Sequence, residues 1–497
     1  MKYRNPVIKG FYPDPSVCFA NGKYYLAASS FQFFPGVPLL ESDDLVNWTQ
    51  FGFALTRHTQ VMLDKVNSSG GVFAPTLRFN NGRFYMVTCN DTTHENFYVW
   101  TDDIYGEWSD PVYVEQGGID PSLLFDDGRV YFISNGQDDH GESGIIQCEI
   151  DICTGRKLTP GKCIWKGSGG RFIESPHMYK INGKYYLMVA EGGTEYGHMI
   201  TYAIADNPWG PFTGYPGNPV LTNRNKAPYI IQGIGHGDLI QDKNGEWHIL
   251  CLGFRQIHEW MPFHHLGRET FLVPVYLGED GWFTAGTNGT CIEEYEIKGD
   301  FTQAEKRTYT FENMLWNIDW QYLRKPDPDN YIFENNGIIL KGSPVKTLNM
   351  VDSPTFICTH QKDFCFDMTI KVTLDTENST RCSDVHETGV SIFHDEKEHY
   401  DIAVKHDEEG YYAALILNIG GINHTQAIVR LESNTAIFGI KADNFRYKFS
   451  ADGQYLGEGE TKYLSSEVCG GFTGTVIGLY AVGDIEGIFG DLEIIYS

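Results

Sequence analysis

The sequence has no long hydrophobic segment and few basic residues. No apolar run approaches the ~20 residues that a membrane-spanning helix needs, and the N-terminal Met-Lys-Tyr-Arg-Asn-Pro lacks the apolar core of a secretion signal. We therefore expect a cytoplasmic protein with no membrane partner. The formal net charge of -27 would repel nucleic acids and anionic surfaces. A neutral substrate is therefore expected.

Paired cysteine motifs and helical periodicity are also missing. The eleven cysteines include no Cys-x-x-Cys pair and their number is odd, which favours reduced, mostly buried thiols over disulfides or a zinc site. Aromatic residues make up 14% of the 497 residues, and this length favours two domains. The cysteines are Cys18, Cys89, Cys148, Cys153, Cys163, Cys251, Cys291, Cys358, Cys365, Cys382 and Cys469.

The sequence does contain a hairpin pattern that occurs five times. Residues 118–134 show it best: an apolar run at 123–125, an Asp127-Gly128 turn and an aromatic and β-branched run at 130–133. Counted between turn glycines, the repeats are 46 to 62 residues apart, which leaves room for about four strands each. This spacing favours a β-propeller. The other turns are Asn21-Gly22, Asn81-Gly82, Asn182-Gly183 and Asn244-Gly245.

When the five hairpins are aligned on their turn glycines, four of the residues that share one position can carry a proton. The residue eight or nine places earlier is Asp14, Ala74, Asp120, Glu174 or His236. The first strand of each propeller blade lies nearest the axis, so these residues should converge at one mouth of the channel. Asp and Pro are common turn residues, but turn chemistry does not require a Glu or a His there. Two carboxylates at a shared cavity, with a third nearby, suit glycosidic bond hydrolysis.

The second half of the chain has a different pattern. The repeat stops after about residue 288, and a polar, charged segment follows at 293–307. Apolar and polar residues then alternate, which predicts an antiparallel β-sandwich of roughly 190 residues. The fold class is therefore all-β, with a propeller catalytic domain at 1–297 and a sandwich domain at 298–497. The alternating segments are 364–374, 389–402, 411–419, 436–449, 472–482 and 490–496.

Four motifs lie around these positions: Phe11-Tyr12-Pro13-Asp14-Pro15-Ser16, Gly118-Ile119-Asp120-Pro121-Ser122, Ile173-Glu174-Ser175-Pro176-His177 and Gly235-His236-Gly237-Asp238. They resemble motifs of glycoside hydrolase family 43, in particular its β-xylosidase and α-L-arabinofuranosidase branch. The resemblance implies a five-bladed β-propeller followed by a jelly-roll-like β-sandwich. It also implies an exo-acting, inverting hydrolase that releases terminal β-D-xylose from xylo-oligosaccharides. Its general base would be Asp14, its pKa-tuning and orienting carboxylate Asp120, and its general acid Glu174.

The same resemblance implies residues that bind the substrate. His236 matches the family's axial histidine near the acid, and Arg268 matches an arginine that binds hydroxyls of the terminal sugar. Phe31 would form an aromatic wall, and Phe472 lies in a segment that resembles a loop by which the sandwich closes the pocket. The alternatives are a surface salt bridge from Arg268 to Glu269 and core packing of the two phenylalanines.

Two departures from the family pattern concern the preferred sugar. Phe73 stands where many β-xylosidases carry tryptophan, and the loop 136–141 lacks an expected aromatic residue. Both are pocket positions, so they leave the catalytic chemistry unchanged. An α-L-arabinofuranosidase, or an enzyme with both activities, is therefore the main alternative.

Other protein classes fit the sequence less well. The sucrose- and fructan-cleaving propellers also use three carboxylates, but their Asn-Asp-Pro-Asn, Arg-Asp-Pro and Glu-Cys signatures are missing. A lectin-like propeller would not need three carboxylates in register, and an acidic mouth argues mildly against a purely structural interaction propeller. We expect no required cofactor and no catalytic metal, although a structural calcium ion between Glu312 and Asp491 is compatible with the sequence. Homo-oligomerisation stays open.

Overall fold

The computed structural model describes residues 1–345, 351–376 and 385–497. It consists of a five-bladed β-propeller and a two-sheet β-sandwich, as the sequence predicts. The described part of the chain has one α-helix, Ser466–Cys469, and two 3-10 helices, Pro328–Asn330 and Thr461–Leu464. No helix in that part is long and apolar enough to span a membrane.

Each propeller blade is a four-stranded antiparallel sheet, and its first two strands form the predicted hairpin. Buried apolar side chains fill the space between neighbouring blades, because every second side chain of a strand faces an adjacent sheet. The blades are Ser16–Ala20, Lys23–Ala27, Gly36–Ser42 and Thr49–Leu55; Thr76–Asn80, Arg83–Asn90, Glu95–Thr101 and Val112–Val114; Ile119–Asp126, Arg129–Gln137, Ser143–Glu149 and Lys162–Trp165; Glu174–Ile181, Lys184–Glu191, Met199–Ala205 and Thr213–Gly214; Ile231–Gln241, Trp247–Arg255, Glu269–Leu277 and Phe283–Ala285.

The two ends of the propeller chain meet beside the fifth blade. Lys2–Arg4 pairs with Glu294–Glu296 in a small antiparallel sheet, and the Tyr3 hydroxyl donates to the Leu272 carbonyl at 2.9 Å. Part of the charged segment 293–307 is therefore a strand. The first sandwich strand begins at Thr308; the domain limits given above stay a prediction.

The sandwich consists of two eight-stranded antiparallel sheets around one apolar core. Sheet A has the order Tyr331–Glu334, Gly337–Lys341, Glu486–Tyr496, Phe366–Asp375, Thr435–Ala442, Arg446–Ala451 and Gln454–Glu460, and Thr308–Thr310 also pairs with Glu486–Tyr496. Sheet B has the order Ile422–Arg430, Gly410–Ile419, His399–Asp407, Glu387–Phe393, Val476–Val482, Thr355–His360, Gln321–Leu323 and Phe33–Phe34.

The last strand of sheet B comes from the propeller half of the chain. Phe33–Phe34 pairs with Gln321–Leu323, so a segment of the first blade completes a sheet of the sandwich. The fully buried Arg324 follows at once. Its backbone N–H donates to the Gln32 carbonyl at 2.8 Å, and its guanidinium pairs with the buried Glu396. Hydrogen bonding therefore continues across the junction of the two domains.

The structure changes three details of the predicted sandwich. The segments 389–402 and 436–449 each contain two strands joined by a turn, because a continuous apolar pattern does not reveal a short reversal. The segment 472–482 becomes a strand only at Val476, which leaves Phe472 in a loop. The ten described cysteines are free thiols and six of them are buried; Cys382 lies outside the described residues.

Candidate active site

The three predicted carboxylates lie at or just before the starts of inner strands, and His236 lies within the inner strand Ile231–Gln241 of the fifth blade. The backbone φ angles of Asp14, Asp120 and His236 are positive, at 55°, 52° and 41°. Ser175, which follows Glu174, has a φ angle of 56°. Left-handed backbone at a non-glycine residue is uncommon and concentrates at functional sites. The strand register also shifts beside Asp120, Glu174 and His236. These bulges interrupt the regular alternation at the rim.

Asp14 is buried and held by three groups. Its Oδ2 accepts a 2.5 Å hydrogen bond from the Ser29 hydroxyl, and its Oδ1 accepts one of 3.0 Å from Arg268 Nη1. His236 Nδ1 lies 3.6 Å from the same Oδ1. Burial opposes ionisation, but the Arg268 guanidinium, the His236 ring and the Ser29 hydroxyl together hold the pKa of Asp14 below its ordinary value. Asp14 is therefore an ionised, fixed carboxylate.

The pKa of Asp120 is shifted in the opposite direction from that of Asp14. Its Oδ2 accepts from the backbone N–H of Ser175 at 3.1 Å and from the Ser175 hydroxyl at 3.2 Å. Burial, and then the charges of Glu174 and Asp14, raise the pKa of Asp120 well above its ordinary value. The cluster therefore holds a proton at a pH where exposed carboxyl groups have lost theirs.

His236 connects the two aspartates. Its Nδ1 lies 2.6 Å from the Ser175 Oγ, and since that hydroxyl donates to Asp120, the His236 Nδ1–H is the donor. Burial lowers the pKa of His236 against the raising effect of Asp14 and Glu174, so the ring is neutral at neutral pH and gains its charge only in acid. This chain of hydrogen bonds fixes the relative positions of the third, fourth and fifth blades.

Glu174 is the most accessible of the three carboxylates, with 19% of its side chain exposed. Its Oε1 lies 3.6 Å from Nε2 of the buried His198, whose Nδ1 contacts the Gly233 carbonyl at 3.2 Å. Nδ1 therefore carries the proton, and Nε2 presents its lone pair to Glu174. Sequence reasoning missed His198, because it precedes the third strand of its blade and lies outside the hairpin register.

A second glutamate missed from the sequence supports the loop before Glu174. The fully buried Glu191 accepts hydrogen bonds from the Ser168 N–H at 2.8 Å, the Ser168 hydroxyl at 2.9 Å and the Gly170 N–H at 2.6 Å. It also accepts one from the Thr201 hydroxyl at 2.6 Å. These bonds anchor the segment that leads into Glu174. No sequence pattern distinguishes this glutamate from a surface one.

Three phenylalanines form an aromatic wall beside Arg268 and Asp14, and Phe31 is also packed into a buried apolar cluster with Phe11, as the core-packing alternative predicts. The ring of Phe31 lies 5.3 Å from that of Phe73 and 6.0 Å from that of Phe472. Phe73 and Phe472 meet edge to face at 6.0 Å. Phe472 is 39% exposed, and its N–H donates to the Ser69 hydroxyl at 2.8 Å. The sandwich loop therefore does reach the propeller mouth.

Arg268 connects this wall to the carboxylates. Besides Asp14, its guanidinium donates to the Phe472 carbonyl at 3.1 Å and to the Thr194 hydroxyl at 2.9 Å, and it lies 5.5 Å from the Phe31 ring centre. The alternative salt bridge to Glu269 is wrong, because Glu269 binds Arg255 at 2.7 and 2.9 Å. All eight predicted site residues therefore lie at one mouth.

A buried ion pair lies on the axis behind the carboxylates. Asp238 Oδ2 accepts from Arg78 at 2.7 Å and from the Ser16 hydroxyl at 2.7 Å, and Oδ1 accepts from the Tyr179 hydroxyl. Arg78 also donates to His177 at 2.8 Å, and burial lowers the pKa of His177 to about 3. This network joins the inner strands of four blades and supports the floor of the site.

The comparison with protein-family models matches both halves of the chain. The model described as Glycosyl hydrolases family 43 matches residues 3–283, which is more than half of the chain. The chain belongs to glycoside hydrolase family 43. A second model, Beta xylosidase C-terminal Concanavalin A-like domain, matches residues 308–487. The protein is therefore a glycoside hydrolase with a concanavalin A-like sandwich.

Relatives within family 43 resemble the chain over nearly its whole length. The Non-reducing end alpha-L-arabinofuranosidase BoGH43B of Bacteroides ovatus is 36% identical over 97% of this chain and 92% of its own. The Xylosidase/arabinosidase of Butyrivibrio fibrisolvens is 32% identical over 96% of this chain and 95% of its own. Among solved structures, "Bacteroides ovatus Xyloglucan PUL GH43B" has a TM-score of 0.91 at 33% identity and covers all of both chains.

Proposed function

We propose that this family 43 hydrolase removes terminal pentoses, β-D-xylose or α-L-arabinofuranose, from short neutral oligosaccharides with inversion of the anomeric centre. The observation that carries the proposal is the contrast between two carboxylates at one mouth. Asp14 is buried and ionised by its partners, whereas Glu174 is partly exposed. Inverting hydrolysis needs one ionised base and one proton donor on opposite sides of the sugar.

Asp14 is proposed as the general base. Ser29 and Arg268 fix both of its oxygens, so the carboxylate is aimed without further movement of its side chain. A water molecule beside Asp14 would lose a proton to it while attacking the anomeric carbon. The low pKa of Asp14 keeps the base ionised across the working pH range.

Glu174 is proposed as the general acid. Its partial exposure lets a proton return from solvent after each turnover, and the Glu191 hydrogen bonds anchor the preceding loop. Asp120 lies beside Glu174 and keeps the backbone of Ser175 in place. The proposed role of Asp120 is to orient this strand and to set the electrostatic field in which the acid transfers its proton.

The Phe472 loop supports exo action. Arg268 and Phe472 border the site on the side of Asp14, and the loop comes from another domain. A sugar chain that continued beyond the terminal residue on this side would meet the phenylalanine wall. Arg268, Phe31 and Phe472 are proposed to bind one terminal sugar.

Two terminal sugars are candidates for the substrate. The sequence motifs favour β-D-xylose. The printed names of the two full-length relatives, one an arabinofuranosidase and one a xylosidase/arabinosidase, support α-L-arabinofuranose as a second candidate. Phe73 at the wall position, in place of tryptophan, supports a pocket that accepts both shapes.

Turnover of paired 4-nitrophenyl β-D-xylopyranoside and α-L-arabinofuranoside tests the proposal. We expect hydrolysis of at least one, and proton NMR during the first minutes should show α-xylose released from the β-xyloside. Release of β-xylose first would contradict inversion. The separation of the Asp14 and Glu174 carboxyl groups is predicted at about 6.5–9.5 Å, which leaves room for water.

A further inference from the structure

A buried histidine without a hydrogen-bond partner lies at the end of the propeller opposite the active site. His248 is 2% exposed, and neither of its ring nitrogens has a hydrogen-bond partner among the described residues. An imidazole buried in this way loses its bonds to water without replacement. Buried polar atoms normally find partners, so a missing ligand is a direct explanation.

Two carboxylates face the same point. His248 Nε2 lies 3.4 Å from Asp242 Oδ2, and ligand atoms of Asp242, Glu246 and His248 all lie within 4.8 Å of one another. The local sequence explains this arrangement. Asp242 Oδ1 accepts the N–H groups of Asn244 and Glu246 at 2.8 Å each, which forms the tight turn of the fifth hairpin and leaves Oδ2 directed at the imidazole.

The donor set indicates the kind of ion. We propose that Asp242, Glu246 and His248 form a binding site for one divalent cation of the Zn²⁺ type. Bonds of about 2.0–2.2 Å to nitrogen and carboxylate oxygen in a tetrahedron place neighbouring ligand atoms about 3.3–3.6 Å apart, which includes the 3.4 Å between Asp242 Oδ2 and His248 Nε2. A water molecule completes four ligands. Ca²⁺ and Mg²⁺ prefer oxygen ligands alone, so the imidazole disfavours them.

Glu246 needs only a small change to become the third ligand. Its Oε1 pairs with Lys298 Nζ at 2.6 Å, and 42% of the Glu246 side chain and 68% of the Lys298 side chain are exposed. An exposed pair of this kind contributes little stability, so a cation can displace the ammonium group.

The position suggests what the ion stabilises. The Lys243 N–H donates to the Tyr24 hydroxyl of the first blade at 2.8 Å, and Asn244 Nδ2 donates to the Lys298 carbonyl at 3.3 Å. The hairpin thus contacts the first blade and the segment that follows the fifth. A cation at Asp242 would join the two arms of the hairpin whose turn makes these contacts. His236 precedes Asp242 by six residues of extended chain, which span about 20 Å. The proposed metal site is therefore separate from the catalytic mouth.

Isothermal titration with ZnCl₂, on protein freed of metal by a chelator, tests the proposal. A Cys153→Ser background removes the exposed thiol. We expect one Zn²⁺ per chain, at least tenfold weaker binding in Glu246→Gln and in His248→Gln, and unchanged binding in His424→Gln, which alters an exposed histidine of the sandwich. The midpoint temperature of thermal unfolding should rise by about 5 °C when the free Zn²⁺ concentration is about a hundred times the dissociation constant.

Four outcomes would overturn the site. They are absence of Zn²⁺ binding by the parent protein, equal binding by Glu246→Gln, tighter binding of Ca²⁺ than of Zn²⁺, or equal loss in the His424→Gln control. Glu246→Gln changes only a partly exposed side chain, so the test remains decisive even if His248→Gln fails to fold. Circular dichroism of each variant checks its fold before titration.

Discussion

The Asp14 side and the Glu174 side of the active site are built differently. Asp14 is buried and contacts Ser29, Arg268 and His236, whereas Glu174 is one-fifth exposed and has His198 at 3.6 Å. A base must be ionised and aimed at all times, so rigid partners help it. An acid must exchange its proton with solvent in every cycle, so access helps it. The predictions below test this contrast from the largest expected effect to the smallest.

Removal of the proposed base should affect all substrates alike. Asp14→Ala is expected to lower kcat/KM by about 10³–10⁴-fold on both xylobiose and 4-nitrophenyl β-D-xyloside, because water activation is needed whatever the leaving group. Steady-state kinetics on the two substrates gives the measurement. Asp367→Ala, an exposed aspartate of the sandwich, is the matched control. A loss confined to xylobiose would assign the acid role to Asp14.

Removal of the proposed acid should depend on the leaving group. Glu174→Ala is expected to lose about 10²–10⁴-fold on xylobiose, whose alkoxide leaves only when protonated, and far less on the nitrophenyl glycoside. The ratio of the two losses is the quantity to measure, with the exposed Glu409→Ala as control. Equal losses on both substrates would mean that the two roles are reversed.

The Asp14 partners can be weakened without removing the base. Arg268→Met takes away the cation that holds the pKa of Asp14 low, so that pKa rises and the base is protonated at higher pH. The acidic limb of the kcat/KM profile should therefore move to higher pH, with a loss of about ten- to hundredfold at its optimum. Arg83→Met, which alters a partly exposed arginine paired with Asp102, should leave the profile unchanged. An acidic limb that stays in place would separate Arg268 from Asp14 ionisation.

The aromatic wall should have the smallest effect. Phe472→Ala removes a ring that contacts Phe31 and Phe73, and we expect KM for xylobiose to rise about three- to tenfold with little change in kcat. The relative rate on polymeric xylan should increase as the pocket opens. Phe333→Ala, an exposed phenylalanine elsewhere in the sandwich, is the control. An unchanged KM would exclude Phe472 from substrate binding.

The fold and the catalytic candidates were predictable because the hairpin pattern repeats along the sequence and the candidates occupy one position within it. The turn glycines give the blades, and one offset from them gives Asp14, Asp120, Glu174 and His236. His198 and Glu191 were not predictable, since each acts through contacts between distant segments and neither lies at a repeated position. The same limit applies to Phe33–Phe34, which looks like part of a blade in sequence and pairs with the sandwich in space. The predicted calcium ion between Glu312 and Asp491 stays a prediction.

The Phe33–Phe34 strand also sets the order in which the pocket can be assembled during synthesis. Its partner Gln321–Leu323 leaves the ribosome almost 290 residues later, which corresponds to about 15–60 s at ~5–20 residues per second. Until then Phe33–Phe34 has no partner strand, although Phe31 can already pair with Val72 of the propeller, and the Phe472 loop is still to be made. The nascent propeller can close its ring before this wall is complete, so we expect hydrolysis to begin only when the whole chain has folded.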